Sequence, residues 1–394
     1  MLIYLLLAAG LFMGWSLGTN DAANAFGTAV ATRVVKYRTA IIIIAVMVIL
    51  GSVLMGHQNI TKLNSIATNN EVVASADELE AAGVEFEKVT NEATGEQEYV
   101  LDENKMPILA SKDNVDKAKM KDIQIKSALK GAIIFACAAI TVFVMSYLKF
   151  PVSANQSVTG AVIGWGLCYA DYSNEAIKKG NITEILEFMS TWLINPLGAA
   201  LISFVLVFLV KKFVEKWLTS MKHYDIVIKV GYIAAGAFSA YSIGQNSSAS
   251  VTAFYYDHYG VGSNLIFGNN GFFTGARIAA IIGGVAIAVG VLTFSKRVMM
   301  TVGSSIAEIT QVDGFVVILA SALTVVLMGN IMGIPVSTSQ SVVGAVIGAG
   351  LVNGAKKVHF GVLKNVAIAW VSSPTVAGLL AWVVGICTKS YFAA

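Results

Sequence analysis

The sequence predicts an all-α polytopic membrane protein made of two inverted-topology repeats, each of about five membrane elements with broken helices, plus a small polar insert. Three observations carry that prediction. Of 394 residues, 56% are hydrophobic and only 13% charged, about half the charge of an ordinary soluble domain. The apolar residues gather into runs near the length of a bilayer span, as at 40–55, 128–148 and 278–294. Finally, the stretch 151–164, which opens Pro151-Val152-Ser153 and carries Gln156 and Ser157, returns at 335–348 as Pro335-Val336-Ser337 with Gln340 and Ser341, differing at three positions. A soluble enzyme, a disordered chain and an outer-membrane barrel, whose strands would alternate polar and apolar residues, are excluded. A net charge of +3 with no basic tract gives no reason to expect nucleic acid.

The first half reads as elements at 3–31, 39–56, 127–148, 151–170 and 188–210. The opening apolar stretch lacks a basic leader and a small-residue cleavage site, so it reads as the first membrane element rather than a removable signal. Gly18 and the polar run to Asp21 predict an interruption in it. Residues 58–125 form an acidic insert, including Glu71, Glu78, Glu87 and Asp102, expected outside the membrane as a solvated ornament with a small β-hairpin and a polar helix over 114–127. The second half reads as 228–256, interrupted at Gly244 to Ser247, then 276–294, 314–333, 335–353 and 363–387. The expected organisation is a first repeat over 1–211, a cytoplasmic linker over 212–227 and a second repeat over 228–394. Five elements per repeat is odd, so the repeats should face opposite ways. Basic residues agree when Arg33, Lys36, Arg38, Lys149, Lys211, Lys212, Lys296 and Arg297 are placed in the cytoplasm. Lys178 and Lys179 then fall outside, against the trend. Both termini are expected to be external, in a plasma membrane.

Ionisable residues in hydrocarbon cost about 3 kcal/mol and usually face a pathway. Asp21 is the outstanding case, set among Asn20 and Asn24, and hard cations want such oxygen ligands. Its second-half echo is Gly244-Gln245-Asn246-Ser247-Ser248-Ala249-Ser250. The proline segments offer different chemistry. Proline suits a helix start, and helix N-termini present free N–H groups and partial positive charge to an oxyanion. Ser153, Asn155, Gln156, Ser157 and Thr159 in one copy, and Ser337, Thr338, Ser339, Gln340 and Ser341 in the other, would add donors there. Gly160, Gly164, Gly344 and Gly348 have the small-xxx-small spacing of close helix packing. No histidine lies in an apolar segment to serve as a base, and there is neither a Walker A sequence nor zinc-ligand spacing, so an enzyme is not expected. Cys137, Cys168 and Cys387 sit in apolar runs and read as packing residues.

The Asn20-Asp21 motif, the duplicated Pro-Val-Ser-x-x-Gln-Ser segment and the inverted duplication together resemble the inorganic phosphate transporter (PiT) family of cation–phosphate symporters, over the whole chain except 58–125. The resemblance implies import of inorganic phosphate driven by Na⁺, with H⁺ less favoured, by alternating access as one repeat rocks against the other. It implies a substrate site of Asp21, Ser153, Gln156, Ser157, Asn246, Ser337, Thr338, Gln340 and Ser341. Cation ligands would be Asn20, Asp21, Asn24, Asn246 and Ser247. No cofactor is expected beyond the coupling cation. The expected partners are phosphate, the cation, the lipid bilayer and, in a homo-oligomer, another copy of the chain. Where family members carry a second Asn-Asp, this chain has Asn246-Ser247, which removes one carboxylate. Two consequences stay open: a weakened cation site, or a changed choice of anion that would make this a sulfate symporter. Glu308 and Asp313 are further candidate cation ligands. A passive anion channel is the remaining alternative.

Overall fold

A computed structural model describes residues 2–56, 76–90, 97–100, 108–111, 116–169, 175–214, 221–252, 275–305, 309–331, 336–354 and 358–392. Pro335, Glu308, much of the acidic insert and the middle of the linker lie outside them. The first half supplies α1 (Leu2–Ala31), α2 (Tyr37–Met55), α4 (Lys117–Tyr147), α5 (Ala154–Tyr169) and α6 (Glu175–Leu209). The second supplies α7 (Met221–Ser247), α8 (Ala249–Thr252), α9 (Gly275–Phe294), α10 (Lys296–Ser305), α11 (Gln311–Val325), α12 (Thr338–Asn353) and α13 (Phe360–Phe392). Among the described residues seven helices are long and apolar enough to cross a membrane. This is a multi-pass membrane protein.

The expected break in the first element does not occur: α1 runs through Gly18 and Asp21 as one helix of 30 residues. Glycine is needed at position 18 for proximity, because a Cβ there would strike the carbonyl of Ile287 on α9. In the second half the interruption falls at Ser248, between α7 and α8, just past the expected place. The proline segments are where helices truly start inside the protein. α5 and α12 each have 16 residues, about 24 Å of helix, which is short of a hydrocarbon core of about 30 Å.

In the insert, α3 (Ala76–Ala81) packs with β1 (Glu85–Phe86), which pairs antiparallel with β4 (Leu109–Ser111), while β2 (Lys88–Thr90) pairs with β3 (Gln97–Tyr99). Leu79, Ala82, Val84, Phe86 and Met120 form a separate small core. The polar helix expected over 114–127 is continuous with α4, which Asp116 caps by accepting from the Ala118 and Lys119 amides.

Packing exchanges the two halves. α5 packs along α13 and α12 along α6; α1 packs along α9 and α7 along α2. α2 and α9 also touch each other, as do α1 and α7. A central group of α1, α2, α7 and α9 is therefore flanked by two bundles of mixed origin, α4–α5–α13 and α11–α12–α6. Glycine makes each crossing close. A Cβ at Gly160 or Gly164 would meet the backbone of Pro374 or Gly378, and one at Gly344 or Gly348 would meet that of Pro196 or Ala200. Lipid tails are as apolar as leucine side chains, so helices in a bilayer associate through such close fits.

The corresponding helices α1 and α7 run antiparallel, as inverted repeats would require. Tyr232 and Thr28 both close on Gly314, Gly236 faces Phe26 and Ser247 faces Asp21, so α7 ascends as α1 descends. α1 also spans the distance between the ends of the molecule. Ala9 packs on Ala128 and Ala132 of α4, and Thr28 donates to the Gly314 carbonyl at 3.2 Å, contacts about 28 Å apart along the helix. At the Gly314 end, fully buried Asp313 pairs with Lys211 at 3.3 Å and accepts from Asn353 at 2.7 Å, and Lys211 also donates to Asn353. Asp313 completes a capping box with Thr310 as well. At the opposite end the corresponding helices α4, α5 and α13 bring Lys130 over the ring of Phe392, which packs edge-on against buried Trp165 at 5.5 Å between ring centroids.

Candidate functional site

The segments 150–153 and 336–337 belong to no helix or strand, and each ends in a serine that caps the helix after it. Ser153 Oγ accepts from the Gln156 amide at 3.2 Å, and Ser337 Oγ accepts from the Gln340 amide at 3.3 Å. Ser157 and Ser341 donate back to the carbonyls of Ser153 and Ser337, at 3.1 and 3.0 Å. These four serines, expected to bind substrate, are thus engaged in building the helix starts. α1 and α7 hold these segments in place. Asn20 donates to the Phe150 carbonyl at 3.1 Å and accepts from the Val152 amide at 3.3 Å, and Asn246 donates to the Val336 carbonyl at 3.0 Å. Both asparagines were expected as cation ligands; their carboxamides are bonded to backbone here.

The two helix starts reach across to each other. Ser339 donates to the Val152 carbonyl at 3.0 Å, and Asn155, at the corresponding position of α5, donates to the Val336 carbonyl at 3.3 Å. Asp21 lies where they meet. Its Oδ2 accepts from Thr338 at 3.2 Å, and its Oδ1 accepts from Asn24 at 3.1 Å and from Ser339 at 3.5 Å. Asn24 lies within 3.1 Å of Thr338 Oγ1 and 3.0 Å of Ser339 Oγ, and Ser247 also bonds the Asp21 carboxylate. Asp21 and Asn24 come together because three residues on a helix share a face. The carboxylate is 3% exposed, and every side chain bonded to it is neutral.

Three nearby groups have no hydrogen-bond partner among the described residues. They are Asn24 Oδ1, both amide atoms of Gln156 and Gln340 Oε1. A buried polar atom left unpaired costs about 1–3 kcal/mol, so orphans on the first turns of α5 and α12 and beside Asp21 mark a place built for a guest. The chemistry divides in two. Asp21, Asn24 Oδ1, Thr338, Ser339 and Ser247 offer oxygen to a hard cation, while Gln156 Nε2 offers a donor to an anion.

Two outcomes depart from expectation. Asp313 lies apart from the Asp21 cluster, near the C-terminal end of α1, where Thr310, Asn353 and Lys211 hold it. Asn195, which was missed, donates to the Ser337 carbonyl and accepts from Ser341, both at 2.8 Å. The available signal was a carboxamide inside an apolar run, one residue before Pro196.

Comparison with known proteins fits this geometry. The model of the phosphate transporter family matches residues 17–86 and 110–381. A candidate phosphate permease of Pyrococcus horikoshii is 24% identical over 97% of this chain and 96% of its own length. The sodium-dependent phosphate transporter 2 of Bos taurus is 41% identical over a local stretch of 97 residues, 25% of this chain and 15% of that protein. A solved structure of a sodium-dependent phosphate transporter superposes with a TM-score of 0.67 at 21% identity, covering 99% of each chain, which shows a common fold.

Proposed function

Because the chain belongs to the phosphate transporter family, we propose that it imports inorganic phosphate across the plasma membrane by symport with Na⁺, or less favourably H⁺, and that both termini lie outside. The observation that carries this reading is the buried carboxylate of Asp21, bonded only by neutral side chains, where helix starts from opposite halves converge. The cation binds first, at Asp21, Asn24, Thr338 and Ser339. Its charge then draws the anion to the first turns of α5 and α12, where backbone N–H groups and Gln156 hold it without lysine or arginine. The sodium-dependent relatives favour Na⁺ as the driving ion.

Alternating access follows from exchange of access around a fixed central site. The moving bodies are the mixed bundles α4–α5–α13 and α11–α12–α6 against the central four helices. Motion of one sequence half against the other would separate every glycine crossing described above.

Labelled phosphate uptake into proteoliposomes tests the proposal, with an inward Na⁺ gradient, a proton gradient or neither, and with unlabelled sulfate as competitor. Accumulation that requires one gradient and resists sulfate is expected. Asp21→Asn keeps the volume and loses the charge, so accumulation should disappear while the protein still folds. Uptake that runs only down the phosphate gradient would mean a channel. Accumulated sulfate would mean that the Asn246-Ser247 sequence had changed the substrate.

A further inference from the structure

The duplication gives every member of the Asp21 cluster a counterpart, and the structure shows how each set is used. Asp21, Asn24, Thr338 and Ser339 correspond to Ser247, Ser250, Ala154 and Asn155. The first set has a carboxylate, two hydroxyls and the buried acceptor Asn24 Oδ1 with no partner among the described residues. The second set is closed on itself: Ser250 donates to Asn155 Oδ1, and Asn155 donates to the Val336 carbonyl. Ala154 brings no oxygen where Thr338 brings a hydroxyl. Ser247 is 2% exposed and is turned to the carboxylate of Asp21 rather than forming a site of its own. A cation placed in the second set would have no carboxylate of its own, only the one that Asp21 already gives to the first set, and it would find Asn155 Oδ1 taken by Ser250; a buried charge without its own counter-charge is costly.

We propose that this transporter binds one monovalent coupling cation per chain, at the Asp21 set, and that serine at position 247 abolishes the equivalent second cation site. This rests on the symport reading given above. One cation moving with one singly charged anion makes the cycle electrically silent, and Ser247 becomes the residue that fixes the coupling ratio.

The test counts ions directly. Binding of radioactive sodium to the purified full chain in detergent, without phosphate, should saturate at one ion per chain with a Hill coefficient of one, and Asp21→Asn should remove it. Ser247→Asp should raise the count toward two and turn phosphate uptake in proteoliposomes from silent to current-carrying. Two ions bound by the unmodified protein would overturn the proposal, as would sodium binding that survives Asp21→Asn, or none at all. Because phosphate is absent from the count, failure of the ion number leaves phosphate uptake standing. Failure of uptake leaves the ion number standing.

Discussion

The two halves of the molecule have the same backbone plan and different charges. In the backbone they agree closely: α5 on α13 repeats α12 on α6, and glycine permits both crossings. In their polar equipment they diverge at two places. At the centre Asp21 faces Ser247. At the ends, an ion pair of Lys211 and Asp313 with Asn353 occupies one side, and Lys130 with Phe392 and Trp165 the other. The difference teaches that close helix packing sets the symmetry, and that function is written into the departures from it.

The largest expected effect breaks the shared plan. Gly164→Leu drives a side chain into the Gly378 backbone, and Gly348→Leu does the same at Ala200. Each should cost at least about 3 kcal/mol, the upper end for overpacking, since backbone cannot yield as a side chain does. Thermal unfolding in detergent should show two similar losses; a loss at only one crossing would break the equivalence. Next, Lys211→Met strands Asp313, which has no other cation in the structure described. A buried pair broken on one side costs about 3–5 kcal/mol, and the part-exposed lysine places this near the lower figure. Lys211→Met with Asp313→Asn should recover much of the lost melting temperature; no recovery would show that the pair is incidental.

Asn195→Ala removes two bonds from the α12 start and should destabilise by about 2 kcal/mol. Ser373→Ala on α13 should do less, because the Ser373 hydroxyl has no partner among the described residues. Equal losses in the two melting curves would deny Asn195 its special role. The smallest effects sharpen the site itself. Gln156→Ala should raise the half-saturating phosphate concentration roughly fivefold, about 1 kcal/mol, with little change in melting temperature. Unchanged half-saturation would mean that Gln156 only packs.

Much of this was legible in the sequence, for identifiable reasons. The repeated Pro-Val-Ser segment revealed the duplication, and apolar runs located the helices, because both are local signals. The uninterrupted α1 was not legible, since glycine serves an unwound turn and a close crossing equally well and only the presence of Ile287 decides between them. Partnership across the halves was hidden for a related reason: periodicity tells which face of α5 is buried, not that α13 buries it. At the site, Asp21 and Asn24 were found by their polarity in an apolar setting. Ser339 and Asn155 were counted among the donors but left out of the expected site, although they face each other at one of the three positions where the repeats differ, and both make cross-half bonds. Asn20 and Asn246 were recognised by the same polarity, but that they bond the backbone of the two helix starts was not legible, because a carboxamide can bind backbone as readily as a cation.

The exchange of helices between halves has a consequence for how the chain is made. Cys168 on α5 touches the carbonyl of Trp382 on α13 across 214 positions of sequence. At about 5–20 residues per second of synthesis, α5 waits some tens of seconds in the membrane for its partner, with its glycine face open. During that interval the finished first half is a half-built object, exposed to the membrane's insertion and quality-control machinery. A ribosome that stalls within the second half would release a product whose best available partner is another copy of itself.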